Sequence, residues 1–308
     1  MKLISICVPV LNEEENIANT LEVIESFFKK NLTQYRYEII FTDNHSDDKS
    51  ESIIFEITKN NPNVKYIRFN KDIGYDKSIL EAYKNSTGDA AIVIDCDLQD
   101  PVEIIKDFIL KWENGHDVVY GIRKKRDESK VFTTFRKIYY RIMNANSEKK
   151  YPLDAGDFRL VDRKVIDRFK NNKNLYPYVR GLTFSLSKNS KGIEYDRTNR
   201  KLGKSKLAYY NTFTYAVSYL IEETRIFVRL FARLNLILIL FSILFTLVNS
   251  YLNFKFISLF QNIILILLIV IIFILTIISE YILRLYFQIK DNNKIIYEKK
   301  INFQDDEK

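Results

Sequence analysis

Cysteine is nearly missing from this 308-residue chain, with Cys7 and Cys96 the two present. Both fall in apolar runs that read as core strands. The chain therefore carries no disulfide framework and suits a reducing compartment. Histidine is equally scarce, and His45 lies in a polar turn where it is assigned no metal. The amino terminus runs from Met1-Lys2-Leu3 directly into a strand-like run, without the leader of a cleavable signal peptide. The net charge is +8 and the pI about 9.1. No nucleic-acid-binding motif accompanies that charge, which suits anionic lipid or phosphorylated substrates instead. A mean hydropathy of −0.16 averages two unlike parts. The first two thirds are mixed and polar, and a stretch from about 234 to 283 is very apolar.

The run Asp95-Cys96-Asp97-Leu98-Gln99-Asp100-Pro101 organises the chain. Ahead of it, Ala90-Ala91-Ile92-Val93-Ile94 reads as a buried strand of a parallel sheet. Asp95 and Asp97 are two apart, so on an extended backbone they share one side. With the amide oxygen of Gln99 they offer hard oxygen ligands suited to Mg²⁺ or Mn²⁺. The alternative for a bare pair of this kind is a solvated strand end. Pro101 is expected to open the next helix. Chemistry at the carboxyl end of a parallel strand is the usual arrangement in open α/β sheets.

In chain order, residues 4–10 read as a first strand, followed by an acidic turn and a helix carrying Ile17, Leu21, Ile24 and Phe28. Residues 37–42 form a second strand ending at Asp43, and a helix with Ile53, Ile54 and Ile57 follows. A strand over 64–69, a turn at 70–74 and a helix with Ile79, Leu80 and Tyr83 lead to the central strand. A helix with Val102, Ile105, Ile109 and Trp112 precedes a strand over 117–121. This alternation predicts a parallel sheet with helices on both faces.

The segments VPVLNEEENI, TDNHSDD, NKDIGYDKS, TGDAAIVIDCDLQDP and VVYGIRKKR resemble the inverting glycosyltransferases of family 2 with a GT-A fold. The branch most similar is the polyprenyl-phosphate glycosyltransferases, relatives of dolichol-phosphate mannose synthase and the bactoprenol glucosyltransferases. DAGDFRL at 154–160, YVRGL at 178–182 and RKLGKSK at 200–206 are similar to that branch too. The resemblance covers roughly residues 3–290, and Asn44 departs from it where many relatives carry a second Asp.

The resemblance implies a Rossmann-like α/β domain that binds a nucleoside diphosphate sugar. Pro9, Leu11, Glu13, Asp43, Asp95, Cys96, Arg123, Arg200 and Lys206 are the implied nucleotide-sugar contacts. Asp97 and Gln99 are expected to hold the divalent ion, with Asp95 either joining through water or holding the ribose. Arg136 and Arg126, in a basic stretch over 124–141, are candidates for the lipid phosphate. Asp157 matches the position usually proposed as base. A phosphate monoester with its second pKa near ~6 is largely dianionic at neutral pH, so Asp157 has the alternative role of orienting metal or acceptor.

Residues 207–233 interleave aromatics with Arg225, Arg229 and Arg233, as helices lying on a membrane surface do. Residues 234–252 and 263–283 each approach the ~20 residues that span a bilayer as a helix. Basic residues flank both outer ends, which predicts a hairpin with both termini cytoplasmic and the domain at an inner membrane. The polar tail over 284–308 is expected to be loosely ordered. All implied donor contacts precede Leu234, so a chain ended after Arg233 is expected to keep donor binding. The expected reaction moves a sugar, from a UDP-hexose, to undecaprenyl or dolichyl phosphate with inversion. Self-association is left open. A processive polysaccharide synthase is the enzymatic rival, but the single tryptophan, Trp112, lies in no Q-x-x-R-W motif. An inactive membrane scaffold is the non-enzymatic rival, against which the intact acidic cluster argues.

Overall fold

The computed structural model describes residues 1–124, 155–170, 179–198, 256–290 and 295–303, with scattered positions between them. It divides into two compact units. The first comprises Met1–Ile138, Tyr151–Lys206 and Lys294–Lys308, and the second comprises Tyr139–Lys150 and Leu207–Asn293.

The first unit is built on an 8-stranded sheet. Its strands are β1 (Leu3–Val10), β2 (Arg36–Asp43), β3 (Val64–Phe69), β4 (Ala90–Val93), β5 (Val118–Arg123), β6 (Ala155–Asp162), β7 (Ser190–Tyr195) and β8 (Tyr297–Ile301). Their order across the sheet is β7-β5-β6-β4-β1-β2-β3-β8. β1 pairs in parallel with β2 and β4, and β2 with β3, as the alternating pattern predicts. The sheet as a whole is mixed. β6 runs antiparallel between β4 and β5, and β8 runs antiparallel to β3. β6, which arrives later in the chain, lies between β4 and β5.

Helices α1 (Ile17–Asn31), α2 (Ser50–Asn60) and α4 (Ile104–Glu113) cover one face. Ile24, Ile54 and Phe108 pack there against Ile4, Ile6 and Val8 of β1 and Ile92 of β4. α3 (Tyr75–Asn85), α5 (Arg163–Lys170) and α6 (Val179–Leu186) cover the other. On that side Ile79, Tyr83, Ile166 and Val179 enclose Cys7, Ala91 and Val93. Full burial on both faces is why β1 and β4 read as unbroken apolar runs. The helix after the acidic run begins at Ile104 rather than Pro101. Ile104 and Ile105 N–H donate to the carbonyls of Pro101 and Val102 at 3.2 and 3.0 Å, so tight i to i+3 turns precede it.

The tail expectation fails at residues 297–301. β8 covers the β3 edge, and Ile295, Tyr297 and Phe303 pack on Ile40, Ile67 and Phe69. Tyr297 Oη donates to Glu81 at 2.5 Å, and Asn302 Nδ2 donates to the Val64 carbonyl at 2.8 Å. A chain ended after Arg233 would therefore uncover a sheet edge and an apolar cluster.

In the second unit, α7 (Phe256–Lys290) is a 35-residue helix with Leu267, Leu268, Ile271, Leu275, Ile278 and Ile282 exposed. Several of its side chains lie outside the described residues. Counted over the described residues alone, no helix is long and apolar enough to cross a membrane. The first expected span, 234–252, and the surface stretch 207–233 lie mostly outside the described residues.

Candidate active site

Parallel register aligns the carboxyl ends of β1, β2 and β4, with Val10 opposite Asp43 and Cys7 opposite Val93. Just beyond each end stands a non-glycine residue in the left-handed region: Asn12 at φ 54°, His45 at φ 66° and Leu98 at φ 49°. Such conformations cost energy and persist where surrounding bonds enforce them. The bonds are present. Asn12 N–H donates to Ser46 Oγ at 2.8 Å, and Asp47 N–H to Asn12 Oδ1 at 2.7 Å. Glu13 N–H donates to Ser50 Oγ at 2.9 Å, and Glu14 Oε2 accepts from Lys49 N–H at 2.8 Å. The acidic turn after β1 thus braces the start of α2 as well as leading into its own helix. Pro9 is buried in β1, with Leu11 and Glu13 half-buried beyond it.

Asp43 is fully buried, and its carboxylate is already engaged. Oδ1 accepts from Ser46 N–H at 2.8 Å, and Oδ2 accepts from Tyr66 Oη at 2.7 Å and Arg68 Nη1 at 2.6 Å. Its place is behind the loop after β2, holding that loop's shape.

The acidic run lies at the end of β4. Leu98 N–H donates to the Asp95 carbonyl at 3.1 Å, which folds the chain back. Asp97 Oδ1 accepts from Gln99 N–H at 3.2 Å. The Gln99 amide donates to the Thr198 carbonyl at 3.3 Å and tethers the segment after β7. Cys96 is buried, and burial pushes its thiol well up. Its carbonyl accepts from Thr20 Oγ1 at 2.6 Å. Asp95 Oδ1 accepts from Tyr75 Oη at 2.6 Å. Burial, and then the Asp100 charge, push the Asp95 carboxyl up to about 6, against the Tyr75 hydrogen bond.

Asp100, Tyr75 and Arg197 were not expected at the site. Asp100 is buried and accepts from Tyr195 Oη at 2.5 Å and Arg123 Nη2 at 3.4 Å. Arg197 Nε lies 3.4 Å from Asp100, and its Nη2 lies 3.8 Å from Asp95. The third aspartate in the D-x-D-x-x-D spacing was the sequence signal for this role. Arg123, at the end of β5, also donates from Nε to Tyr195 Oη at 3.1 Å.

Asp157 sits near the start of β6. Its Oδ2 accepts from Arg180 Nη2 at 2.6 Å, and its Oδ1 accepts from Arg159. Burial pushes this carboxyl up, but Arg180 and then Arg159 outweigh it and hold it at about 2. Arg159 of the antiparallel β6 stands opposite Val93, so the start of β6 lies beyond the carboxyl end of β4, and the Tyr75 bond to Asp95 puts the start of α3 there too. The structure thus brings Asp95, Asp97, Gln99, Arg123 and Asp157 to one end of the sheet. Arg126, Arg136, Arg200 and Lys206 lie outside the described residues.

Parallel strands whose carboxyl ends gather carboxylates and guanidiniums define an α/β domain of the GT-A type. The chain belongs to glycosyl transferase family 2, whose profile matches residues 5–169. It is 38% identical over 206 residues to the uncharacterized glycosyltransferase YkcC of Bacillus subtilis (strain 168), covering 66% of this chain and 62% of that protein. It is 34% identical over 204 residues to the bactoprenol glucosyl transferase of Shigella phage SfX, covering 66% of each chain. Among solved structures, the mannosyltransferase PcManGT from Pyrobaculum calidifontis, in complex with GDP-Man and Mn2+, aligns with TM-score 0.48 and 15% identity over 71% of this chain and 62% of that one.

Proposed function

We propose that this protein is a membrane-bound inverting glycosyltransferase that moves a hexose from a UDP-sugar to a polyprenyl phosphate. The observation that carries the reading is the gathering of Asp95, Asp97, Arg123 and Asp157 beyond the carboxyl end of β4, where Arg123 bonds Asp100 and the antiparallel β6 begins. Family membership and the likeness to a bactoprenol glucosyl transferase support it.

The donor set fits a hard divalent cation. Asp95 and Asp97 supply carboxylate oxygens at the end of β4, the hard ligands such an ion takes. Among the described residues no cluster of three or more His, Cys, Asp or Glu could hold a metal alone. In this reading the remaining ligands of Mg²⁺ or Mn²⁺ are oxygens of the donor diphosphate and water. When bound, such an ion supplies Lewis-acid stabilisation of the leaving diphosphate. Arg123 adds fixed positive charge at the same end.

In the transfer, a phosphate oxygen of the lipid forms the bond to the anomeric carbon. The bond from that carbon to the diphosphate breaks, and its electron pair leaves with UDP. In-line attack inverts the centre, giving a β-linked product from an α-linked donor. The attacking phosphate has its second pKa near ~6 and needs no base at neutral pH. A carboxyl held at about 2 is a weak base. Asp157 therefore orients Arg180 and Arg159, which present positive charge where the acceptor phosphate arrives.

The apolar stretch after residue 206 anchors the domain beside a lipid acceptor. Exposed apolar side chains along α7 call for a non-aqueous surrounding. The hairpin with two cytoplasmic termini belongs to this reading, and it leaves residues 294–308 on the same side as the sheet that β8 joins. Membranes containing the protein, given a panel of radiolabelled sugar nucleotides with polyprenyl phosphate, should pass label into extracted lipid from a UDP-hexose. Label that stays aqueous with every donor would refute the reading.

A further inference from the structure

Glu298 of β8 meets Arg68 of β3 across 230 positions of sequence, with Arg68 Nε donating to Glu298 Oε2 at 2.9 Å. The pairing is irregular at this point. Tyr297 stands opposite Phe69 and Lys299 opposite Arg68, so Glu298 is the extra residue of a β-bulge. Bulges re-aim a side chain that regular pairing would send elsewhere. Here the re-aimed carboxylate lies within 3.5 Å of His45 Nδ1 as well.

Arg68 faces the loop after β2. Its Nη1 donates to Asp43 at 2.6 Å, and its Nη2 donates to the Ser46 carbonyl at 3.2 Å. Ser46 in turn accepts from Asn12 N–H of the loop after β1 at 2.8 Å. A guanidinium is a rigid planar fork, so fixing Nε fixes the directions of both Nη groups.

We propose that Glu298 is a positioning residue for nucleotide binding, acting through Arg68 on the loop that joins β2 to α2. The proposal rests on the reading of that loop as part of the donor site. The donor site is then finished by a strand made after the apolar segment. A chain that has not completed that segment folds most of the sheet but binds donor weakly. Glu298 is 41% exposed on an edge strand, so removing its carboxylate opens no core. Glu51, with Oε2 3.4 Å from Arg68 Nε, keeps the guanidinium partly paired, which makes the effect a shift in loop position rather than collapse.

The test uses the full chain in lipid nanodiscs with UDP-glucose and Mn²⁺ as probe. Glu298→Ala should raise the donor KM, and the calorimetric Kd with it, about fivefold, in keeping with loss of a charged hydrogen bond half open to water. kcat should stay within about twofold, since the reacting groups are untouched. Glu298→Gln keeps an acceptor but no charge and should fall between, which also serves if the alanine variant folds poorly. Lys300→Ala, exposed on the same strand, should leave KM unchanged. An unchanged KM in both Glu298 variants would overturn the proposal, as would an equal rise in Lys300→Ala. Asp43→Asn separates the two levels. If it weakens donor binding while Glu298→Ala does not, the role of Glu298 is wrong. If it leaves donor binding intact, the loop is no part of the donor site.

Discussion

Replacing Asp157 with Asn tests whether this carboxylate takes a proton or holds arginines. In the folded protein its carboxyl stands at about 2 against an ordinary 3.8. At ~1.36 kcal/mol per pH unit that difference corresponds to about 2 kcal/mol of favourable interaction in the ionised state. The folded value is depressed, so this stability is fully present above pH ~4 and is lost as pH falls from there through ~2. Asp157→Asn should therefore cost about 2 kcal/mol at pH 7, and its stability should be flat across the window where the parent's declines. Trp112, the single tryptophan, donates from Nε1 to Asp162 at 2.6 Å and gives a fluorescence signal for unfolding of the first unit. Transfer assays with saturating metal carry the mechanistic half. An acid limb near pH ~6 in kcat/KM belongs to the lipid phosphate and to Asp95, not to Asp157, in this account. Asp157→Asn should lower the rate while leaving that limb in place. A limb that disappears or moves by more than a pH unit in the variant would make Asp157 the base and refute the argument.

Asp97→Asn should abolish Mn²⁺-dependent UDP binding by calorimetry while the Trp112 signal shows a folded domain; unaltered binding would remove Asp97 from the ion's ligands. Gly88→Ala would place a Cβ 2.6 Å from Ser5 Oγ and 2.8 Å from the Leu3 carbonyl. Because backbone must give way, it should destabilise by about 1–3 kcal/mol in urea unfolding. A cysteine at Asn253 should label from outside the cell and one at Asp305 should not; the reverse pattern would contradict the hairpin. Position 302 is unsuitable for this probe, since Asn302 tethers β8 to the Thr58 and Val64 carbonyls.

The strands before residue 123 were legible because each is short, apolar and bounded by turn residues, a local signal. That Asp95, Asp97 and Asp157 lie at strand ends was legible because they fall in motifs that border apolar runs. What stayed hidden depends on partners far away in the chain. Asp100, just ahead of Pro101, reads as a turn residue until Tyr195 and Arg123 arrive to bury it. Asp43 reads as a polar strand end, and Arg68 turns it into an enclosed brace. The insertion of β6 between β4 and β5 has no local signature. β8, with the sequence YEKKI, lacks an apolar run and becomes a strand because β3 offers an open edge. A truncation drawn from sequence alone would have removed it.

The central claim is transfer of a hexose to a lipid phosphate at the Asp95–Asp157 end of the sheet. The most direct measurement incubates the purified full chain with UDP-[¹⁴C]glucose, Mn²⁺ and undecaprenyl phosphate, then determines the anomeric configuration of the extracted lipid by NMR. The account predicts one β-linked glucosyl phosphate lipid per UDP released, absent with Asp97→Asn. An α-linked lipid, a polymer, or UDP release with no lipid product would contradict it.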